Sequence, residues 1–300
     1  MNEGRMSHAA NGILWLNGQF GDFQTSRVAL EDRGFQFGDG IYEIARTYNG
    51  VPFMLREHIA RLLRSAAGID LTLPVSSEEL MAIACDLLIR FSSDDAEIYF
   101  QITRGAAPRN LLHADEMQPT VIVGVRPPRY VPPQLRETGC RVITVPDERW
   151  ARCDLKTTCL LPNALAKGRA HRAGAFDALM IRDKLLTEGT ASNVFLWLNE
   201  TLVTPAADNR ILHGITRDVV LGLARERGYR VVERDINREE LSEAQEVFLT
   251  STSLELMPVV RIDDRTVGTG VPGDAQRDLH TAFRSFAQKH TTARDAVPLI

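Results

Sequence analysis

Apolar and polar positions follow two periods along this chain, and their succession outlines the elements. Residues 13–20 and 41–55 read as antiparallel hairpins, because short apolar arms flank Asn17-Gly18 and Asn49-Gly50, two-residue turns whose twist matches that of paired strands. Within residues 41–48 the period of two places Tyr42, Ile44, Arg46 and Tyr48 on one face. Between the hairpins, residues 32–40 carry three glycines, which fits either a loop folded under a ligand or a plain turn. The period then lengthens. Residues 56–67 put Ile59, Leu62 and Leu63 on one helical stripe, with Gly68 as the stop and with His58 and Arg61 sharing a face. Ser76 and Glu79 make a capping box for a helix that runs to Phe91, and residues 98–102 and 120–125 return to strand alternation. Mixed strands and two helices predict an α+β unit that closes near Val125.

Four prolines in residues 126–133 favour an extended, semi-rigid connector. Beyond it the pattern predicts strands near 140–145, 176–181, 193–198, 230–235, 246–250 and 257–262, and helices near 161–173, 216–227 and 276–288. The expected division is a smaller domain over residues 1–126, a linker over 127–134 and a larger domain over 135–300, with a frayed tail from Thr291. The predicted class is therefore α/β of the mixed, α+β kind, in two domains.

Composition narrows the function more than the fold. With 300 residues, 44% hydrophobic content, 25% charge and a net charge of −4 from interspersed signs, the chain has no basic footprint for nucleic acid. No apolar window approaches the ~20 residues that span a bilayer, and the first fifteen residues lack the apolar stretch of a secretory leader, so a cytoplasmic protein is expected. Cys85, Cys140, Cys153 and Cys159 have neither disulfide-framework nor zinc spacing, and all four are expected to be reduced, with no metal bound. Nucleotide-binding glycine motifs, the H-E-x-x-H zinc motif and the nucleophile elbow are also absent. The partners left are small molecules and a second copy of the chain.

Four stretches carry candidate chemistry. Lys156 lies where a strand pattern gives way to a helix pattern; held out of water there, its amine could attack a carbonyl, and otherwise it is a solvated loop lysine. Glu188 precedes a small-residue turn into an apolar strand and is either a buried acid with a partner, such as a protonated pyridine nitrogen, or a solvated turn residue. Residues 214–218 open a helix whose amides suit a phosphate, although Thr216 reads equally well as an ordinary N-cap. Residues 250–253 end a strand in four hydroxyls, which either donate to the same phosphate or merely form a turn.

The run Asp32-Arg-Gly-Phe-Gln-Phe-Gly-Asp-Gly-Ile-Tyr-Glu43, the segment Arg152-Cys-Asp-Leu-Lys156, Thr187-Glu-Gly-x-x-Ser-Asn-Val-Phe195, Gly214-Ile-Thr-Arg-Asp-Val-Val220 and Thr250-Ser-Thr252 together resemble the fold type IV pyridoxal-phosphate aminotransferases, and within them the D-amino-acid aminotransferases. The resemblance spans nearly all of residues 13–286 in the family's order. It implies a two-domain fold with pyridoxal 5'-phosphate between the domains, a homodimer, and transamination between D-amino acids and 2-oxo acids such as pyruvate or 2-oxoglutarate. Lys156 matches the Schiff-base lysine and Glu188 the acid on the pyridine nitrogen. Arg61 matches the phosphate-binding arginine, joined by the amides of Ile215 and Thr216 and the hydroxyl of Thr252. Tyr42 would face the reactive side of the cofactor, with His58 and Ser251 nearby, and Arg109 would take the substrate carboxylate. One position departs from the D-specific pattern: two residues after Arg109, where those enzymes have histidine, this chain has Leu111, and His113 lies two further on. That change keeps a branched-chain L-aminotransferase in view as the alternative, with an aminodeoxychorismate lyase behind it. A non-catalytic cofactor carrier is disfavoured because it would not need the set Lys156, Glu188 and Arg61.

Overall fold

A computed structural model describes residues 12–114 and 116–292. The chain separates into two units. The first comprises the described residues of Met1–Arg129, Leu155–Cys159 and Ala287–Ile300, and the second comprises Tyr130–Asp154 and Leu160–Phe286. Segments 155–159 and 287–292 therefore group with the first unit, although they lie within the span 135–300 that the sequence pattern assigned to one domain.

The first unit is built on a six-stranded antiparallel sheet. Its strands are β1 (Ile13–Leu16), β2 (Gln19–Asp22), β3 (Gly40–Tyr48), β4 (Val51–Phe53), β5 (Glu97–Thr103) and β6 (Thr120–Arg126), in the order β2-β1-β6-β5-β3-β4. Both hairpin turns are as expected, with positive φ at Asn17, Gly18, Asn49 and Gly50. Register aligns Ile41 with Ile102 and Ala45 with Ile98, and then Phe100 with Val123 and Ile102 with Val121, so the apolar rows of neighbouring strands coincide. These rows form one core with Leu55, Ile59 and Leu62 of α2 (Leu55–Ala67) and Leu80 and Leu87 of α3 (Ser77–Phe91). The capping box of α3 is present. Leu63 is 37% exposed rather than buried, because the stripe of α2 is centred on Leu55, Ile59, Leu62 and Ala66.

The glycine-rich run ahead of β3 is only in part the loop or turn expected: its glycines do allow close approach, a Cβ at Gly34 falling 2.2 Å from Thr103 Cγ2, but residues 33–37 are helical. They form a short helix, α1 (Arg33–Phe37), capped by the Asp32 side chain and ended by Gly38 in the left-handed region.

The second unit holds a nine-stranded mixed sheet. Its path is β12 (Arg230–Glu233), β11 (Thr201–Thr204), β10 (Asn193–Leu198), β13 (Glu246–Ser251), β14 (Glu255–Ile262), β7 (Cys140–Pro146), β8 (Asp177–Arg182) and β9 (Leu185–Gly189), with β15 (Arg265–Thr266) paired to β14. The pairs β11/β12, β14/β7 and β7/β8 are parallel and the rest antiparallel. Helix α4 (Gln134–Thr138) precedes the sheet; α5 (Leu161–Arg172) covers β7 and β8, packing Ala166 and Ala170 on Val145, Ala178 and Met180. Helix α6 (Ile215–Glu226) lies against β12 and β13. Strand β9 was missed by periodicity because Thr187-Glu188-Gly189 has turn-like composition, yet it pairs with β8. The last helix, α7 (Asp274–Thr292), extends past the expected fraying point: Thr291 is buried and its hydroxyl donates to the Ala287 carbonyl. The remainder of the expected tail, from residue 293, lies outside the described residues, as does most of the N-terminal stretch in which no leader was expected. No described helix is long and apolar enough to cross a membrane.

Candidate active site

In the first unit, main-chain pairing decides where Lys156 sits. Strand β3 is flanked by β5 along most of its length but by β4 only at Arg46–Tyr48, which leaves the opposite edge of Gly40–Tyr42 open. Residues 156–158 fill that edge: the Tyr42 amide donates to the Lys156 carbonyl at 3.0 Å and the Thr158 amide to the Gly40 carbonyl at 2.9 Å. A third bond runs from the Lys156 amide to Ser65 Oγ, 3.0 Å. Leu155 is wedged against Gly68, where a Cβ would come within 2.4 Å of its Cδ2; close approach, rather than a left-handed φ, requires that glycine. The half-buried Lys156 then extends its Nζ over the Tyr42 ring, 4.3 Å from the centroid.

The other face of β3 carries Glu43, buried completely. It accepts from Arg61 Nε at 2.8 Å and Arg61 Nη2 at 2.7 Å, and lies 3.1 Å from His58 Nδ1. The shared face of His58 and Arg61 read from the sequence is thus directed at this carboxylate. Burial opposes charge on Glu43, but Arg61 and His58 hold its carboxyl well below the ordinary range. Burial in turn pushes the His58 imidazole below its ordinary value of 6.5, with Arg61 and Lys156 adding to the effect and Glu43 opposing it. The ring is neutral at neutral pH, so Nδ1 donates to Glu43 Oε1.

A pH response follows from His58. The unfolded ring takes a proton near 6.5 and the folded ring only below that, so between the two values the unfolded state binds more protons and stability falls as pH falls, by at most about 1.4 kcal/mol per pH unit. Thermal midpoints measured from about pH 7 down to about pH 5 should fall more steeply in the parent than in His58→Gln. Parallel slopes would remove His58 from the acid response.

In the second unit, Glu188 stands at the end of β9 and is buried, not solvated. Oε1 pairs with Arg149, while Oε2 accepts from Asn193 Nδ2 at 3.0 Å and from the Leu212 amide at 3.1 Å. Burial raises the Glu188 carboxyl above its ordinary value, and Arg149 and the Leu212 amide pull against that rise. Arg149 is fixed by a fork onto Asp147 (Nε to Oδ1 2.9 Å, Nη2 to Oδ2 2.8 Å), and Arg182 reaches the same Asp147 at 3.1 Å. Although burial opposes it, Arg149 and Arg182 hold the Asp147 carboxyl down at about 2. Asn193 links this acid to the start of α6, since its Nδ2 also donates to the Leu212 carbonyl and its Oδ1 would lie 2.0 Å from a Cβ at Gly214.

Gly214, not Thr216, is the N-cap of α6, and no side chain caps that helix. Ile215 and Thr216, both buried, occupy its first turn. Of the hydroxyl run, Ser251 Oγ accepts from the Leu254 amide at 3.2 Å, whereas Thr250 Oγ1 is buried without a hydrogen-bond partner among the described residues; Thr252 is half-buried. Arg109 belongs to the first unit and is exposed. It bonds Gln36 Oε1 at 3.3 Å and lies 4.7 Å from the Phe37 ring centroid. Leu111 is 82% exposed, and His113 Nδ1 is occupied by the Ala114 carbonyl.

Sequence reasoning quoted Glu43 and Asn193 without giving them a role, and missed Ser65, Asp147 and Arg149 altogether. Arg149 meets Glu188 across 39 positions, a separation with no local signature.

A curated D-alanine aminotransferase from Bacillus licheniformis is 42% identical over 276 residues, covering 92% of this chain and 97% of that protein. Branched-chain amino acid aminotransferase from Escherichia coli superposes with a TM-score of 0.89 at 26% identity, covering 94% and 97% of the two chains. A second branched-chain amino acid aminotransferase, from T.th. and solved with pyridoxamine 5'-phosphate, gives 0.86 at 27% identity, covering 93% and 95%. The fold is that of an aminotransferase. Residues 40–262 match the family described as amino-transferase class IV, and the chain belongs to that family.

Proposed function

We propose that this protein transaminates D-amino acids with a 2-oxo acid such as pyruvate or 2-oxoglutarate, using pyridoxal 5'-phosphate. The observation that carries the reading is the amine of Lys156, which main-chain bonds place over Tyr42, within a chain 42% identical to a D-alanine aminotransferase. Taken unit by unit, the residues present have the chemistry that the cofactor calls for. Lys156 offers an amine to its aldehyde, the uncapped start of α6 and the unpartnered hydroxyl of Thr250 offer donors to a phosphate, and the buried carboxylate of Glu188 offers a partner to a pyridinium.

When bound, the pyridoxal ring supplies an electron sink for the charge left at the substrate α-carbon. Lys156 Nζ would hold the cofactor's aldehyde and would serve as the base that moves the proton at the substrate α-carbon. Tyr42 fixes where that amine stands. Glu188, kept in place by Arg149, Asn193 and the Leu212 amide, would retain a proton on the ring nitrogen. Arg61, Ile215, Thr216, Ser251 and Thr252 would hold the phosphate, and Arg61 would do so with its Nε and Nη2 already oriented by Glu43. Arg109 would bind the substrate carboxylate. A homodimer in the cytoplasm, where the four free thiols stay reduced, belongs to the same reading, and the exposed Leu30, Phe35, Leu111 and Leu112 suit an interface.

The alternative is an L-specific branched-chain enzyme, favoured by the aliphatic Leu111 and by the fold likeness to such enzymes. The purified, cofactor-loaded protein separates the two. D-Alanine is expected to discharge the yellow colour in a single turnover and L-leucine to leave it. Arg109→Ala should lower kcat/KM for D-substrates by about 10- to 150-fold, the scale of one charge-assisted hydrogen bond. Efficient L-leucine turnover, indifferent to Arg109, would transfer the protein to the branched-chain reading.

A further inference from the structure

Helix α1 is the footing of the stretch that carries Arg109 and Leu111. Asp32 Oδ2 accepts from Thr103 Oγ1 at 2.9 Å, where the chain leaves β5, and from Thr120 Oγ1 at 2.7 Å, where it enters β6. The backbone joins in: the Arg33 amide donates to the Gly105 carbonyl at 2.9 Å and the Ala107 amide to the Glu31 carbonyl at 3.2 Å. Deeper along residues 104–114, the main-chain carbonyls of Asn110 and Leu111 are held by one side chain. Arg33, 5% exposed, donates from Nη1 to the Asn110 carbonyl at 2.5 Å and from Nη2 to the Leu111 carbonyl at 3.1 Å, while Asp39 fixes its Nε at 2.8 Å. Asp39 is itself oriented by Arg104, which also ties to the carbonyls of Ile69 and Asp70. Phe37 lies 4.8 Å below the Arg33 guanidinium and 4.7 Å from that of Arg109, so one ring packs against both cations.

Resting on the D-amino-acid reading, we propose that Arg33 is a positioning residue for substrate: by holding the carbonyls of Asn110 and Leu111, it fixes how Arg109 and Leu111 are presented to the carboxylate end of the amino acid. Arg33 does not act on the cofactor. A buried cation whose hydrogen bonds go to two carbonyls of an exposed stretch, with Arg109 and Leu111 themselves outside the core, sets the stretch's conformation while leaving its side chains available. Lysine, a single point donor, cannot span Asp39 and both carbonyls at once.

The test compares Arg33→Met and Arg33→Lys with the parent as cofactor-loaded enzymes, with Asp39→Asn as a milder variant should the first fail to fold. Hydrogen exchange of the amides of residues 107–112 should accelerate about tenfold or more. KM for D-alanine should rise about tenfold or more, the scale of losing one hydrogen bond to a charged group, while kcat and the cofactor absorbance stay within about twofold. Lysine should give an intermediate result. Unchanged exchange would overturn the clamp, and accelerated exchange with an unchanged KM would overturn its role in substrate recognition. A shift of cofactor absorbance in step with the loss would also overturn it, since Arg33 would then act on the cofactor. A parent enzyme silent toward D-amino acids would fail the functional reading instead, and the exchange measurement would still decide the clamp.

Discussion

Alanine at position 156 is expected to abolish transamination and leave the fold intact. The side chain would serve both as covalent anchor and as general base, and loss of the base alone is worth about 10²- to 10⁴-fold, so the combined loss should exceed that range. The fold does not depend on the ammonium. The bonds that set this segment against β3 and Ser65 use the Lys156 amide and carbonyl, which alanine retains. What the fold forfeits is the contact of Nζ with the Tyr42 ring, about 0.5–1 kcal/mol for a partly exposed pair. Single-turnover absorbance and a thermal melt check both halves. Turnover near the parent rate would sink the assignment of Lys156, and a melt lowered by many degrees would show that the side chain carries structure as well.

Arg149→Leu should be the most damaging change to stability. Arg149 lies between two buried carboxylates, and removing it strands Asp147 and Glu188 with Arg182, Asn193, Thr187 and one amide as remaining partners. Breaking a buried charge pair by removing one partner costs about 3–5 kcal/mol. At roughly 2–4 °C per kcal/mol the melting temperature should fall by roughly 6–20 °C. The deficit has a definite sign with pH. Glu188 is already raised by burial, and without Arg149 it rises further, so above its unfolded value the folded state binds more protons than the unfolded one and stability drops as pH increases. The variant should therefore be least impaired near pH ~5 and most impaired near pH ~8. Adding Glu188→Gln should recover part of the loss by removing one stranded charge. A single variant as stable as the parent across that range would mean that Arg182 alone suffices for the cluster.

Much of this architecture was legible in residue order. Hairpin turns at Asn17-Gly18 and Asn49-Gly50, the Ser76–Glu79 capping box and the alternation of residues 98–102 are local signals, and the chain obeys them. The errors also have local causes. Three glycines in residues 32–40 suggested turns, yet the Asp32 cap and the anchoring of Arg33 to Asn110 and Leu111 make a helix of five residues there. Strand β9 was hidden because Thr187-Glu188-Gly189 must place a carboxylate among buried partners rather than alternate against a core. Lys156 and Glu188 could be singled out by residue type and resemblance, but their settings could not. The Lys156 segment completes a strand edge more than 110 positions upstream, and Glu188 depends on an arginine 39 positions away. Such pairings are fixed by tertiary packing and leave no period in the sequence.

The open edge at Gly40–Tyr42 also has a bearing on how the protein is made. The partner for that edge is not synthesised until residues 156–158 leave the ribosome, after the whole six-stranded sheet and the first strand of the second unit. Until then the amide of Tyr42 and the carbonyl of Gly40 lack their native partners, and an unpaired strand edge invites pairing with another nascent chain. The segment that closes this edge also carries Lys156, the lysine proposed to hold the cofactor. A chain cut anywhere between Arg126 and Leu155 would therefore lose Lys156 and the cover of its sheet edge together.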